Sequence, residues 1–486
     1  MFHHLEWIDS QYNSTVLPEG RYTWHYIWAK IFHFFHIDNT QVFFRAYIIH
    51  IVQVLISFFA LFFLSRIIIK NLFMRIEPFY VNYLAYWSTL IWFTIFSTSS
   101  VGFHQVWILW YSINYQISLP LVLFITGLTL SLIFEKPSFK KKFFYSVFIL
   151  FFSFLILKIH AMEYLYFLMY LSILALIFID RIYIIFKKNI YYSIPMSIIS
   201  IIAVIEFLSL IKQYSYRLPP ILKYMSFEKL PDLFSKISEH GEYIILHLNR
   251  ASSVINELIN LTIILFIPMF LILIYRRYKN IPSHINIRMF IFIFITSLFI
   301  LIPVTEFTAG LASLVTYSKI IHRFYYSSLI FIAMPIIVFY ILSTIGIKRL
   351  SILNILMLSM LLGTFIYSKH FSSTHNYYKN ILSIQNSFDE RNIGFNLSTT
   401  HIETIQKQLK TYELNTSKED LYFYAREDIA FILQKVYNKK VYLPKHWKGK
   451  KLGAKQYIQV YKKDTKHANK ILFPTPLNFP PYESYK

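Results

Sequence analysis

The chain has 486 residues, 56% of them hydrophobic and 19% aromatic, with only 15% charged and a formal net charge of +23. Soluble proteins carry roughly a quarter charged residues, and the apolar residues here run in stretches long enough to cross a bilayer, which excludes a soluble fold. No cysteine occurs, which excludes disulfides, zinc–thiolate sites and cysteine nucleophiles.

The first segment, residues 1–42, is polar and aromatic and carries Glu6, Asp9, Glu19 and Asp38. It is too polar to span a membrane and lacks the basic start and apolar run of a secretory signal. Between Tyr22 and Phe35 the residues Trp24, Ile27, Trp28, Ile31, Phe32 and Phe35 recur at helical spacing, with His25, Lys30, His33 and His36 among them. That pattern predicts an amphipathic helix lying along a bilayer surface. The transmembrane domain follows at 43–367, with apolar runs at about 43–65, 82–99, 117–134, 143–159, 161–179, 190–211, 258–275, 287–304, 324–343 and 350–367. The expected fold is therefore an α-helical polytopic membrane protein of about ten spans, ten to twelve at the outside. The fourth and fifth runs are so close that they must form a tight hairpin. Beyond them, 368–486 changes character. EDLYFYA, KKVYLP and QYIQVYKK read as strands and REDIAFILQKVYN as a helix, which predicts a small C-terminal α/β domain.

Orientation follows from Lys and Arg in the short loops. SRIIIKNLFMRIEP, EKPSFKKK, DRIYIIFKKN, YRRYKNIPSHINIR and TIGIKRL together hold 16 basic residues against the acids Glu77, Glu135 and Asp180. Residues 100–116 hold no charge. The basic loops are thus assigned to the cytoplasm, and both termini and the loop 212–257 to the extracytoplasmic face. An N-out start without a signal would be natural if a further span preceded it. The basic charge beside the spans comes with no nucleic-acid-binding motif, so no nucleic-acid partner is expected. The abundance of Ile, Phe, Tyr, Lys and Asn is typical of AT-rich coding, and a bacterial cytoplasmic (inner) membrane is the expected location.

Ionisable residues at membrane depth need a reason to be there, and nearly all of them fall on the outer side: Glu6, Asp9, His104, Lys158, His160, Glu163, Glu206, Glu306, Lys319, His322 and Arg323. Three groups stand out. Asp9, with Glu6 three residues before it, could serve as a general base, because a carboxylate at a low-dielectric boundary is made more basic; the alternative is a solvated acid. The corner KIHAMEY places Lys158, His160 and Glu163 within two turns, where they could bind a phosphate and a metal or pair with one another. In SKIIHRFYY, Lys319 and Arg323 are four apart and would share an α-helix face. Basic residues at an outer span end run against the charge trend, which points to a lipid phosphate; ordinary snorkelling is the alternative. Phosphate-cradling glycine loops, HExxH and dinucleotide fingerprints do not occur.

Many hydrophobic spans, an acidic first external segment with an interfacial helix (Glu6 to Phe35, including LPEGRYTWHYIWAKIF), basic residues His322 and Arg323 ahead of a late span, and a C-terminal external domain together resemble the GT-C superfamily of membrane glycosyltransferases. The family usually has a span before its acidic loop and often two adjacent acids; here Trp7 and Ile8 separate Glu6 from Asp9. The resemblance implies an inverting transfer of sugar from a polyprenyl-phosphate donor to a glycan, lipid or protein acceptor. In it Asp9 would act on the acceptor, and Lys319, His322 and Arg323, with Lys158 and His104, would bind the lipid phosphate. His160 and Glu163 would position the acceptor or hold a divalent metal, Mg or Mn. Two other readings remain open. One is an O-antigen polymerase or ligase using Arg217, His240, His247 and Arg250. The other is a lipid-linked saccharide transporter or flippase, which predicts broken helices.

Overall fold

The computed structural model describes residues 8, 11–15, 23–37, 42–93, 113–135, 137–159, 161–188, 230–245, 266–276, 278–279, 284–315, 318–344, 351–359, 407, 421–425, 441–442 and 458–462. The chain divides into two compact units, one of residues 1–55, 108–116 and 381–486, the other of 56–107 and 117–380.

In the first unit, α1 (Thr23–Phe34) forms where helical spacing predicts it. It buries His25, Trp28, Ala29 and Phe32 within the protein, so Trp28 and Phe32 do not belong to a membrane-facing stripe. The exposed apolar residues are instead Phe34, 75% exposed, and Phe35, beside a shallow groove lined by Tyr26, Ile27, Lys30 and Ile31. The helix has two apolar faces, which the periodicity merges into one. It stops because Ile37 N–H donates to Phe32 O (2.9 Å) and His36 N–H to His33 O (3.1 Å), with His36 in the left-handed region at φ 54°. These paired bonds are the Schellman termination. Arg45, fully buried near the start of α2 (Val42–Leu72), donates to Ile37 O from Nε (3.2 Å) and Nη2 (2.5 Å). Its guanidinium lies 5.0 Å from both the Tyr12 and Phe32 rings. One buried cation thus ties the end of α1 to the first turn of α2.

The same unit contains three strands, β1 (Leu421–Ala425), β2 (Val441–Tyr442) and β3 (Ile458–Lys462), in the order β2-β1-β3. β1 pairs parallel to β2 and antiparallel to β3, with Phe423 opposite both Val441 and Val460. The strands lie within the three stretches expected to form them, and the expected helix 426–438 lies outside the described residues.

The second unit is a helical bundle. α3 (Pro78–Ile91) starts on a proline, whose fixed φ suits a first helical turn. α4 (Ile113–Phe134) and α5 (Phe139–Ile159) follow, then α6 (Ala161–Ile177), α7 (Ile179–Lys188) and α8 (Leu230–Tyr243). α9 (Phe266–Arg276) precedes α10 (Ile287–Ser297), which tightens into a 3-10 turn at Leu298–Leu301. α11 (Glu306–Val315), a 3-10 segment (Ser318–Ser327), α12 (Ile330–Thr344) and α13 (351–359) complete it.

Among the described residues three helical stretches, Ile51–Leu72, Ile117–Phe134 and Phe139–Ile159, are long and apolar enough to cross a bilayer, or four counting one bent pair. The fold is that of a helical membrane protein. Within it, 72% of the α4 span is buried but only 11% of α5, so α4 is central and α5 is largely exposed at the edge of the described bundle. The run 190–211 lies outside the described residues. As expected, α5 and α6 form a tight hairpin, adjacent in space with one residue between them.

Two expectations about helix shape are corrected. The run 287–304 is not one straight span: it breaks after Leu301 and turns 89° into α11. Thr308 Oγ1 lies within hydrogen-bond reach of the carbonyls of Leu301 (3.2 Å), Ile302 (2.9 Å) and Thr305 (3.2 Å), and its one proton can satisfy one group the break releases. The run 324–343 becomes α-helical only at Ile330, because its start belongs to the 3-10 segment.

The basic loops converge at one end of this bundle. Lys70 Nζ pairs with Glu135 Oε1 (2.7 Å), and Ser131 Oγ donates to Glu135 Oε2 (2.5 Å). Arg288 Nη2 pairs with Asp180 Oδ2 (2.6 Å) and covers the Phe178 ring. Phe73 and Ile285 form a β-bridge, closed by Met74 N–H to His284 O and Asn286 N–H to Leu72 O, both 2.8 Å. Phe73 also meets Phe339 and Tyr340, and Arg276 covers Tyr340.

Candidate functional site

The opposite end of the bundle holds the buried polar chemistry. Glu163 sits in the first turn of α6 and is 2% exposed; a carboxylate there is favoured by the positive end of the helix dipole. Three and seven residues on, Tyr166 and Tyr170 follow on the same helical face, both fully buried. Tyr166 packs edge-on against Phe324 with centroids 5.5 Å apart. Tyr170 stacks on Phe299 at 5.9 Å and its hydroxyl donates to Ser327 O.

These contacts bring the start of α6 against the 3-10 segment and the broken end of α10. The junction is closed by Ser328, whose Oγ donates to Ser297 O (2.8 Å) and accepts from Ile330 N–H (3.3 Å). The helix that begins in KIHAMEY therefore packs on SKIIHRFYY, through Tyr166 and Tyr170 beyond the motif itself. The 3-10 form changes the internal phasing of that segment. At three residues per turn the backbone phases Lys319 with His322 and Tyr325, and Arg323 with Tyr326. The shared face expected for Lys319 and Arg323 belongs to an α-helix and does not form.

Within the hairpin corner, Lys158 is exposed, with Nζ 5.6 Å from the Phe154 ring centroid, while Glu163 is buried in the next helix. Glu6, Asp9, His104, His160 and Glu206 lie outside the described residues, as do the side chains of Lys319, His322 and Arg323. No group of three metal-ligating side chains forms among the described residues. Glu163 is buried, while the carboxylates described on the neighbouring α8 and α11, Glu239, Glu242 and Glu306, are exposed, and the chemistry below is derived without a metal.

Alongside lies α8, from the 212–257 loop, packed on α11. The two cross at glycines: a Cβ on Gly241 would fall 1.7 Å from Glu306 O, and one on Gly310 would fall 2.1 Å from Ile237 O. Only bare backbone permits that approach. His240, on the same helix, is partly buried and stacks on Tyr243, and burial lowers its pKa below the ordinary value. Of the four residues named for the polymerase reading, His240 is the one described.

Sequence reasoning missed Tyr166, Tyr170 and Tyr325. The available signal was the spacing of tyrosines after Glu163 in MEYLYFLMY, a polar stripe in an otherwise apolar helix.

A helical bundle with spans of membrane length, one basic end and one end of buried carboxylate and phenols defines an integral membrane protein with a polar site at one face. Comparison of the chain with protein-family models, with curated proteins and with solved structures finds no match in any of the three.

Proposed function

We propose that the protein is a membrane glycosyltransferase of GT-C type, transferring a sugar with inversion from a polyprenyl-phosphate donor to a glycan, lipid or protein acceptor on the extracytoplasmic face. The observation that carries this reading is the packing of α6, which begins at buried Glu163, against the segment Ser318–Ser327 through Tyr166 and Tyr170; that segment holds Lys319, His322 and Arg323. An acceptor hydroxyl attacks the anomeric carbon as the bond from that carbon to the phosphate oxygen breaks. The bonding pair leaves on the phosphate, and the hydroxyl proton passes to a carboxylate. A basic segment favours the departing lipid phosphate and a carboxylate favours loss of the proton. Glu163 is the buried carboxylate among the described residues at this end; Asp9 is the second candidate.

The gathering of the basic loops at the far end supports an outward-facing site. So does the first unit, which collects residues 1–55, 108–116 and 381–486, all segments that the charge rule assigns to the outside or to an outer span end. The proposal includes about ten spans, a C-terminal α/β domain built on β1–β3, and a bacterial inner-membrane location.

The test is transfer of radiolabelled sugar from polyprenyl-phosphate lipids by the purified chain. Glu163→Gln should reduce turnover by at least a hundredfold, and Arg323→Ala should weaken donor binding. Undiminished transfer in both Glu163→Gln and Asp9→Asn would remove the carboxylates from the mechanism.

The 89° break after Leu301 favours a second reading, a lipid-linked saccharide transporter, since broken helices line transport sites. Movement of labelled lipid across proteoliposomes without glycosidic transfer would select it.

A further inference from the structure

The outward face of α1 is apolar, exposed and free of acids. Phe34 and Phe35 are 75% and 64% exposed, with ring centroids 5.1 Å apart. Together with Tyr26, Ile27, Lys30 and Ile31 they line an open groove of about 390 Å³. The stretch from Thr23 to Ile37 contains no Asp or Glu, and exposed His33 and His36 flank the two rings in the chain. Lys30 Nζ donates one hydrogen bond to Tyr12 O (3.2 Å) and lies 5.1 Å from the Tyr26 ring centroid. An ammonium has three donors, so two remain for a ligand in the groove.

The height of this face is set by α2, which begins at Val42 and whose membrane-length stretch begins at Ile51. Arg45, which donates to Ile37 O from Nε at 3.2 Å, comes before Ile51 by about 9 Å along the helix axis. The headgroup layer is roughly 5–8 Å deep on each side of the hydrocarbon core, so the end of α1 is held at the height of the headgroups. Two exposed aromatic rings and a cation at that height fit a lipid with an apolar chain and an anionic phosphate. A second copy of the chain fits less well, because a two-fold contact would set these cations against themselves. We propose that the outward face of α1 is a docking surface for an anionic phospholipid of the bilayer. Phe34 and Phe35 enter among the acyl chains, one chain lies along the groove, and Lys30 holds the phosphate. The face is not the one periodicity points to, since Trp28 and Phe32 are buried within the protein. It goes beyond the glycosyltransferase reading and does not depend on it.

The test uses the full chain, which has no natural cysteine. Phe34→Cys, at a position too exposed to disturb the fold, carries a bimane fluorophore in liposomes of phosphatidylcholine and phosphatidylglycerol. Brominated phosphatidylglycerol and brominated phosphatidylcholine, used in turn at equal total composition, report which lipid sits at the probe. Iodide on both sides of the membrane reports water. Brominated lipid should quench the probe and iodide should barely do so. Brominated phosphatidylglycerol should reach half-quenching at about fivefold lower mole fraction than brominated phosphatidylcholine, the preference expected from one lysine. Lys30→Gln, which keeps a donor for Tyr12 O, should abolish that difference. Quenching by iodide alone would put the face in water, and quenching by neither reagent would show that protein or a second copy covers it; each result would overturn the proposal. Equal quenching by the two brominated lipids would do the same, as would a preference that survives Lys30→Gln.

Discussion

Replacing Gly310 by alanine tests the closest helix crossing in the molecule. The new Cβ would lie 2.1 Å from Ile237 O and 2.8 Å from Ile237 Cγ2, against about 3.4 Å or more for ordinary contact, so α8 must move away from α11 by roughly 1 Å. Overpacking of this kind costs about 1–3 kcal/mol. The upper end is expected here, because the opposing atom is a backbone carbonyl that cannot rotate away. Gly127→Ala supplies the contrast: its Cβ would meet the tip of the Phe63 ring at 2.8 Å, which can tilt, and the cost should be smaller. The assay uses the absence of natural cysteine. Ala309, fully buried beside the crossing, is replaced by cysteine, and its reaction with a maleimide is timed in proteoliposomes. The cysteine should be inert with Gly310 present and should label at least tenfold faster with Gly310→Ala. Unchanged labelling together with an unchanged unfolding midpoint would show that the two helices do not cross at these glycines.

Three further outcomes are expected. His36→Gly relieves a left-handed backbone that favours glycine and should stabilise the end of α1 by about 1 kcal/mol, read as slower tryptic cleavage at Lys30. Arg45→Met keeps much of the volume but removes both bonds to Ile37 O and the two ring contacts; it should cost about 2–3 kcal/mol and speed that cleavage. Burial lowers the pKa of His240 below its ordinary 6.5. Above pH 6.5 folded and unfolded chains are both neutral at this residue and the packing of α8 is unaffected. As the pH falls below 6.5 the unfolded chain takes up the proton first, so stability falls until the folded pKa is passed. His240→Gln should flatten that part of the stability profile.

What the sequence made legible follows its periodicity. Apolar runs located the membrane-length helices, and the alternation in LYFYA and YIQVYK located β1 and β3. The charge pattern marked loops that prove to share one end. The helix break did not show, because ITSLFILIPVTEF is apolar on both sides of it and the hydroxyl that serves a freed carbonyl belongs to Thr308, a residue common in uninterrupted spans. Nor did the two faces of α1, since one stripe of aromatic residues looks the same whether it meets lipid or protein. Within the site, Glu163 and the segment 318–327 were identified separately. The packing of α6 on that segment depends on Tyr166 and Tyr170, whose partners lie more than 150 residues away, a separation that no local pattern encodes.

The basic end also constrains the order in which the molecule can be assembled. Lys70 and Glu135 are 65 residues apart, and Asp180 and Arg288 are 108 apart. The bridge from Phe73 to Ile285 closes a still longer loop. A chain emerging from the ribosome reaches Arg288 only after most of the bundle has been synthesised, so Asp180 waits without its cation and the segment around Phe73 without its partner strand. These contacts can therefore close only once α10 has been made.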